Sequence, residues 1–283
     1  MLRGVLLLVV LVHGFAGCGS SASTSAPSVP APVLQSTPQP APFQVTGYVR
    51  DVAFRALAGA EVEVLDGPQA GTLTTADAAG AFSLTGIFDA ATRFRATKEG
   101  HVTATQSFNS VAATHTIAFA LDVLGGSVNI AGDYTLTFTA DSACADQLPT
   151  EVRTRTYAAT ITPSVTPPAN THFTALLNGA DLDLYYRTIS ILVSGDYVDF
   201  DLSDNFIEEE VAPDTYLAIG GVGAASVATS GAPTISASFQ GLFDYCVTKA
   251  EPVQAGAYSC VSAQAIAHAQ CASKNHRLAL TRR

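Results

Sequence analysis

From Val45 onward apolar and polar residues alternate in short runs. "VTGYVRD" (45–51), "AGAEVEVLD" (58–66) and "TLTTADAAGAFSL" (72–84) return large apolar residues at even spacing, Val45 with Val49, Val62 with Val64 and Phe82 with Leu84. Side chains two apart share one face of a strand, so this pattern predicts half-buried β-strands. The turns between them are readable too. Asp77-Ala78-Ala79-Gly80 offers an Asp to cap a turn and a Gly for positive φ, before Phe82 returns to the core. "TRFRATKEGHVTATQSF" (92–108) and "THTIAFALD" (114–122) complete a first unit over residues 43–122. After Leu124-Gly125-Gly126, read as a hinge, the alternation resumes in "GDYTLTFTAD" and "EVRTRTYAATITP". Further runs lie at 172–178, 181–187, 189–202, 216–222, 234–245 and 276–281. That gives about eight strands over 127–283, with short links that favour antiparallel closure into a barrel. Only "SAQAIAHAQ" (262–270) breaks the pattern, as a short helical stretch. The fold class is therefore all-β: a seven-stranded transthyretin/Ig-like sandwich followed by an antiparallel barrel.

Charge narrows the partners. Charged residues make up 13% of the 283-residue chain and the formal net charge is −10, which excludes phosphate-backbone binding and hence nucleic acid.

The N-terminus has a different character. Arg3 followed by "VLLLVVLV" (5–12) is too short to span a bilayer but suits the core of a signal peptide. Phe15-Ala16-Gly17-Cys18 resembles the bacterial lipobox, in which small residues precede a cysteine that is acylated on sulfur; Phe15 stands where Leu is usual. The resemblance implies a signal peptide over 1–17, lipidation of Cys18 and, with Gly19 following it, delivery to the outer membrane. Residues 18–42 are dominated by Ser, Ala and Pro, and their few large apolar groups cannot repay ordering entropy. They form a tether.

A second resemblance lies on the first unit. Gly47-Tyr48-Val49, Gly59-Ala60-Glu61-Val62, Thr75-Ala76-Asp77 with Gly80-Ala81-Phe82, and Lys98-Glu99-Gly100-His101 resemble the carboxypeptidase regulatory-like domain, with His101 where Tyr is commoner. That family implies a transthyretin-like sandwich without metal or nucleophile. Residues 127–283 are similar, more loosely, to the lipocalin-like C-terminal parts of exported lipoproteins.

If Cys18 carries lipid, Cys144, Cys246, Cys260 and Cys271 remain, an even number in an oxidising compartment. In a closed barrel the first strand pairs antiparallel with the last. Cys144 follows the first and Cys271 precedes the last, which favours Cys144 with Cys271 and leaves Cys246 with Cys260. A thiolate zinc site competes, but the chain has no C-x-x-C.

Candidate chemistry is sparse. The chain carries no H-E-x-x-H, no G-x-S-x-G, no Walker loop and no dinucleotide fingerprint. "GDYVDFDLSDNFIEEE" (195–210) gathers carboxylates. Asp199 and Asp201 share a strand face and, with Asp204, make a weak Ca²⁺ candidate against the plainer reading of a solvated strand face and an acidic loop. A carboxylate pair for glycoside hydrolysis is a third reading of the same stretch. His268 and His276, near Cys271, read as exposed loop residues in preference to metal ligands. Tyr185, Tyr186, Phe239, Phe243 and Tyr245 are the candidate ligand-binding aromatics, either a sugar-stacking face or fillers of the barrel.

The sequence thus predicts an exported, non-catalytic protein without cofactor, lipid-anchored to the cell envelope. Its partners are the membrane through the N-terminal lipid, and a polysaccharide or an envelope protein. The alternative is a carrier holding a small apolar ligand inside the barrel.

Overall fold

The computed structural model describes residues 41–108, 115–165, 171–179, 182, 187–204, 206–248, 260 and 265–283. The signal peptide, Cys18, all but the end of the tether, Tyr185 and Tyr186 lie outside the described residues.

Seven strands form the first unit: β1 (Phe43–Asp51), β2 (Glu61–Val64), β3 (Leu73–Thr75), β4 (Ala81–Gly86), β5 (Arg93–Thr97), β6 (Ala104–Ser107) and β7 (Thr116–Leu121). They make two sheets, ordered β4-β1-β7 and β3-β2-β5-β6, with β1 and β7 parallel. Val45, Val49, Val62, Phe82, Phe94 and Phe119 fill the space between them. The turn before β4 is held as its residues suggest: Asp77 Oδ1 accepts from the Ala79 and Ala81 amides at 2.8 and 2.9 Å, and Gly80 takes φ +74°.

The second unit contains β8 (Gly132–Thr139), β9 (Thr154–Pro163), β10 (His172–Asn178), β11 (Thr188–Ser194), β12 (Tyr197–Asp201), β13 (Ile207–Ala212), β14 (Thr215–Ser226), β15 (Thr234–Val247) and β16 (Ala267–Arg282). Neighbours pair antiparallel in the order β12-β11-β10-β9-β8-β16-β15-β14, and β12 pairs β14 to close an eight-stranded barrel. β13 continues along the same edge of β14: residues 222–226 of β14 pair with β12, residues 215–219 with β13. First and last strands pair as closure requires, Thr139 with Arg277 through Tyr134 with Arg282. The disulfides join Cys144 to Cys271 and Cys246 to Cys260, with Cα atoms 5.7 and 5.5 Å apart.

Three sequence expectations give way here. The run 189–202 is two strands, because Gly195 at φ +63° turns the chain between them. The helical reading of 262–270 fails over its described part, since β16 begins at Ala267 and pairs with β15 from there; the Ala and His alternation reads equally well at period two. The acidic stretch after Asp204 is not a solvated loop. Glu208 and Glu209 lie on β13 at 3% and 2% exposure.

The interior of the barrel is a packed core. Tyr134, Leu136, Phe138, Tyr157, Phe173, Phe200, Phe239 and Phe243 all point inward and are buried, as an eight-stranded barrel needs to fill itself. The link between the two units is strapped at both ends: the Leu124 amide donates to Gly100 O and the Val128 amide to Gly195 O, each at 2.8 Å.

Candidate functional site

Tyr245 packs half-buried against the barrel core, while Phe239 and Phe243 are wholly buried within it. The two phenylalanines are therefore barrel fillers, and neither ring offers a face to a ligand. His276 is likewise inside the barrel on β16, not on an exposed loop; Nδ1 accepts from the Asp141 amide at 2.9 Å, and burial holds the imidazole below its ordinary pKa and so neutral. His268 donates from Nε2 to the buried Asp244 at 2.6 Å.

The metal candidates do not assemble. Among the described residues no group of three His, Cys, Asp or Glu side chains could hold an ion. Asp201 Oδ1 is occupied by the Ser203 amide and hydroxyl at 2.8 and 2.6 Å, and Asp204 stays exposed. Asp199 faces the first unit. There Asp51, buried, accepts from Arg55 Nε at 2.7 Å, and the Arg55 guanidinium lies 4.4 Å over the Tyr197 ring and reaches Ser194 O at 3.5 Å. Desolvation, then Asp201, then Asp51 push the Asp199 carboxyl up to about 6. A raised carboxyl contributes stability that is full below its unfolded value of 3.8 and lost as the pH rises through about 6. Asp199→Asn removes a charge that this seam disfavours. The rise from 3.8 to about 6, discounted for the half-exposed site, gives an expected gain of about 1 kcal/mol at pH 8 that vanishes near pH 4. Urea unfolding at the two pH values checks it, and equal stabilities at pH 8 would sink it.

The site that the fold does build lies on the outer wall of the barrel, where regular pairing breaks on both sides of the continuous β14–β15 ladder: between the β12–β13 edge and β14, and again between β15 and β16. Between β12 and β13, Leu202, Ser203, Asp204 and Phe206 lie outside the strands, with Leu202 pinned through its amide to Gly221 O at 2.8 Å. Opposite it, β14 carries Gly220 and Gly221. A Cβ on Gly220 would lie 2.3 Å from the Phe206 ring, and Gly221, at φ +141°, would place one 2.3 Å from Gln240 O. Gly221 admits only glycine, because both its φ and the Gln240 backbone forbid a side chain, while at Gly220 a Cβ would force the Phe206 ring to move. On β15 and β16 the register slips: Phe239 faces His276 but Gly241 faces Ser273, so Lys274 and Asn275 stand opposite Gln240 alone. Such a bulge bends the wall and re-aims its side chains.

These irregularities combine into one groove of about 650 Å³, lined by Ser203, Phe206, Gly220, Gly221, Gln240, Gly241, Leu242, Ala272, Ser273 and Lys274. Gly220, Leu242 and Ala272 pair across three strands as its outward-facing floor, since their neighbours Ile219, Phe243 and Cys271 point inward. Asp141 fixes the bulge from behind. Ser273 Oγ donates to Asp141 Oδ2 at 2.5 Å and accepts from the Asn275 amide at 3.0 Å. The Ser273 bond, with that from the Ala143 amide, holds the Asp141 carboxyl down at about 2. The Cys144–Cys271 bridge ties the same two segments again, three residues after Asp141 and two before Ser273. The groove is thus preorganised, apolar at its floor, with an aromatic wall and a polar rim.

Sequence reasoning did not find this site. Its nearest signals are the glycine pair at 220–221 and Gly241, which interrupt strands that otherwise alternate cleanly.

No family model matches the chain, and no curated protein matches it. Two solved structures are similar. One is a streptococcal ancillary pilin, at 12% identity and a TM-score of 0.23, over 56% of this chain and 52% of that one. The other is a membrane-associated protein of unknown function from Bacteroides fragilis NCTC 9343, at 12% identity and a TM-score of 0.24, over 85% and 97%. The chain spans about half the length of the pilin it matches.

Proposed function

We propose that this protein is a non-catalytic lipoprotein of the cell envelope that binds saccharide in the groove on the barrel wall. The groove itself carries the reading. It is open, Phe206 gives it an aromatic wall against a glycine floor, and Gln240, Ser203, Ser273 and Lys274 supply polar groups at its rim. A sugar presents an apolar ring face ringed by hydroxyls, so it matches an aromatic side chain flanked by amide and hydroxyl groups. The filled barrel interior supports this surface site over an internal carrier, because a ligand inside would have to displace Phe138, Phe239 and Phe243 from the core. The lipobox-like Phe15-Ala16-Gly17-Cys18 and the Ser/Pro tether support anchoring at the outer membrane. The carboxypeptidase regulatory-like unit serves as the docking or spacer domain.

The test is binding of the full-length chain to an array of envelope and plant polysaccharides. Saturable binding that weakens about tenfold in Phe206→Ala is expected, the loss typical of one truncated aromatic anchor. Binding indifferent to Phe206, or silence across the array, would remove the proposal.

A further inference from the structure

We infer that the saccharide taken by this groove is anionic, a chain bearing carboxylates such as a polyuronate, with Lys274 as the group that receives the charge. The inference rests on the saccharide reading above and adds the electrostatic class of the ligand.

It follows from an inventory of hydrogen-bonding groups. Of the ten lining residues Lys274 alone is ionisable; the rest are neutral. Of the carboxylates around the groove, Asp204 is exposed beside Ser203 but is not among the lining residues, and three others are hydrogen-bonded. Asp201 is held by the Ser203 amide and hydroxyl, and Asp141 by Ser273 Oγ and the Ala143 amide. Asp244, one row along the same outer face, accepts from His268 Nε2 at 2.6 Å and Gln270 Nε2 at 2.8 Å. Lys274 has no such partner. Among the described residues it forms no ion pair, and neither its ammonium nor the Gln240 amide donates to the protein.

The rim therefore offers unspent donors, one of them a full positive charge, and no carboxylate lines the groove itself. Such a site favours a ligand rich in acceptors and carrying negative charge. A single ammonium matches a single carboxylate. A multiply sulfated polymer brings several charges per sugar, and in a chain of net charge −10 one lysine does not offset them. The bulge explains why the lysine is available here: with two residues of β16 opposite one of β15, Lys274 lies outside the regular ladder.

The experiment is titration calorimetry of the full-length chain, in detergent, with polygalacturonate oligomers and with the same oligomers after carboxyl reduction. The two ligands share backbone and hydroxyls and differ in charge. The reduced oligomers are expected to bind about tenfold more weakly, the usual effect of one charge-assisted hydrogen bond. Added salt should narrow the gap. Lys274→Gln should erase it, and Lys274→Arg should preserve it. Equal binding of the two ligands, or a gap that survives in Lys274→Gln, overturns the inference. Neutral glycans that bind through Phe206 while uronates do not would overturn it and leave the saccharide reading standing. Binding of no saccharide at all overturns both.

Discussion

Replacing Cys144 and Cys271 together by Ala is expected to cost about 5 kcal/mol of stability, against about 3 kcal/mol for Cys246 and Cys260. The bridges close loops of very different length, with sequence separations of 127 and 14. On the chain-entropy account, the longer loop takes more freedom from the unfolded chain. The long bridge also sits where the barrel closes: Cys144 follows β8, Cys271 lies on β16, and these first and last strands pair from Thr139–Arg277 to Tyr134–Arg282. Without it the barrel keeps its hydrogen bonds but joins its two ends from a freer ensemble. Urea unfolding of the two double variants measures the difference. Equal losses would mean that local packing around each bridge, not loop entropy, sets its contribution. The same bridge abuts the groove, because Ala272, Ser273 and Lys274 follow Cys271 directly. Saccharide binding should therefore weaken in the Cys144→Ala, Cys271→Ala protein and be nearly untouched in the other.

The pairing of cysteines was legible because it follows from closure alone: a barrel whose first and last strands meet places Cys144 beside Cys271 whatever the side chains between them do. Strand positions were legible for the same local reason, as period two is written residue by residue in "GDYTLTFTAD". What the sequence concealed depends on how strands are stacked around the barrel. Phe239 and Phe243 carry the same alternation whether their face is inside or outside. Glu209 reads as solvated because a carboxylate is seldom buried without a partner, and its partners Arg155 and Tyr157 are more than 50 residues away. The groove is the extreme case. It is made by irregularities on four strands, each of which by itself looks like an ordinary glycine or a slipped register, and only their alignment across the sheet creates a site.

Glu209 leads to the second large effect. Its carboxylate points into one end of the barrel with Ile207, on the inward face of β13, and is nearly wholly buried. Arg155 grips both its oxygens, with Nε at 2.9 Å from Oε2, and the Tyr157 hydroxyl donates to Oε2 at 2.9 Å. Burial, reinforced by the neighbouring carboxylate, raises the Tyr157 phenol far above its ordinary pKa, so it remains a donor throughout the working range. Arg155→Met is expected to destabilise by about 3 kcal/mol, because it strands a buried charge that the tyrosine alone cannot compensate. The deficit should shrink as the pH is lowered: a carboxylate left buried and unpaired takes up a proton more readily folded than unfolded, so acid favours the folded variant. Removing the whole set tells the two halves of this energy apart. In Arg155→Met, Tyr157→Phe, Glu209→Met no polar group is left orphaned, and apolar replacements of similar volume restore most of the loss. If the triple variant is as unstable as Arg155→Met and keeps no pH dependence, the ion pair itself stabilises the barrel. If it recovers, the penalty belongs to the stranded carboxylate, and the charged set holds the β9–β13 end in register without adding to stability.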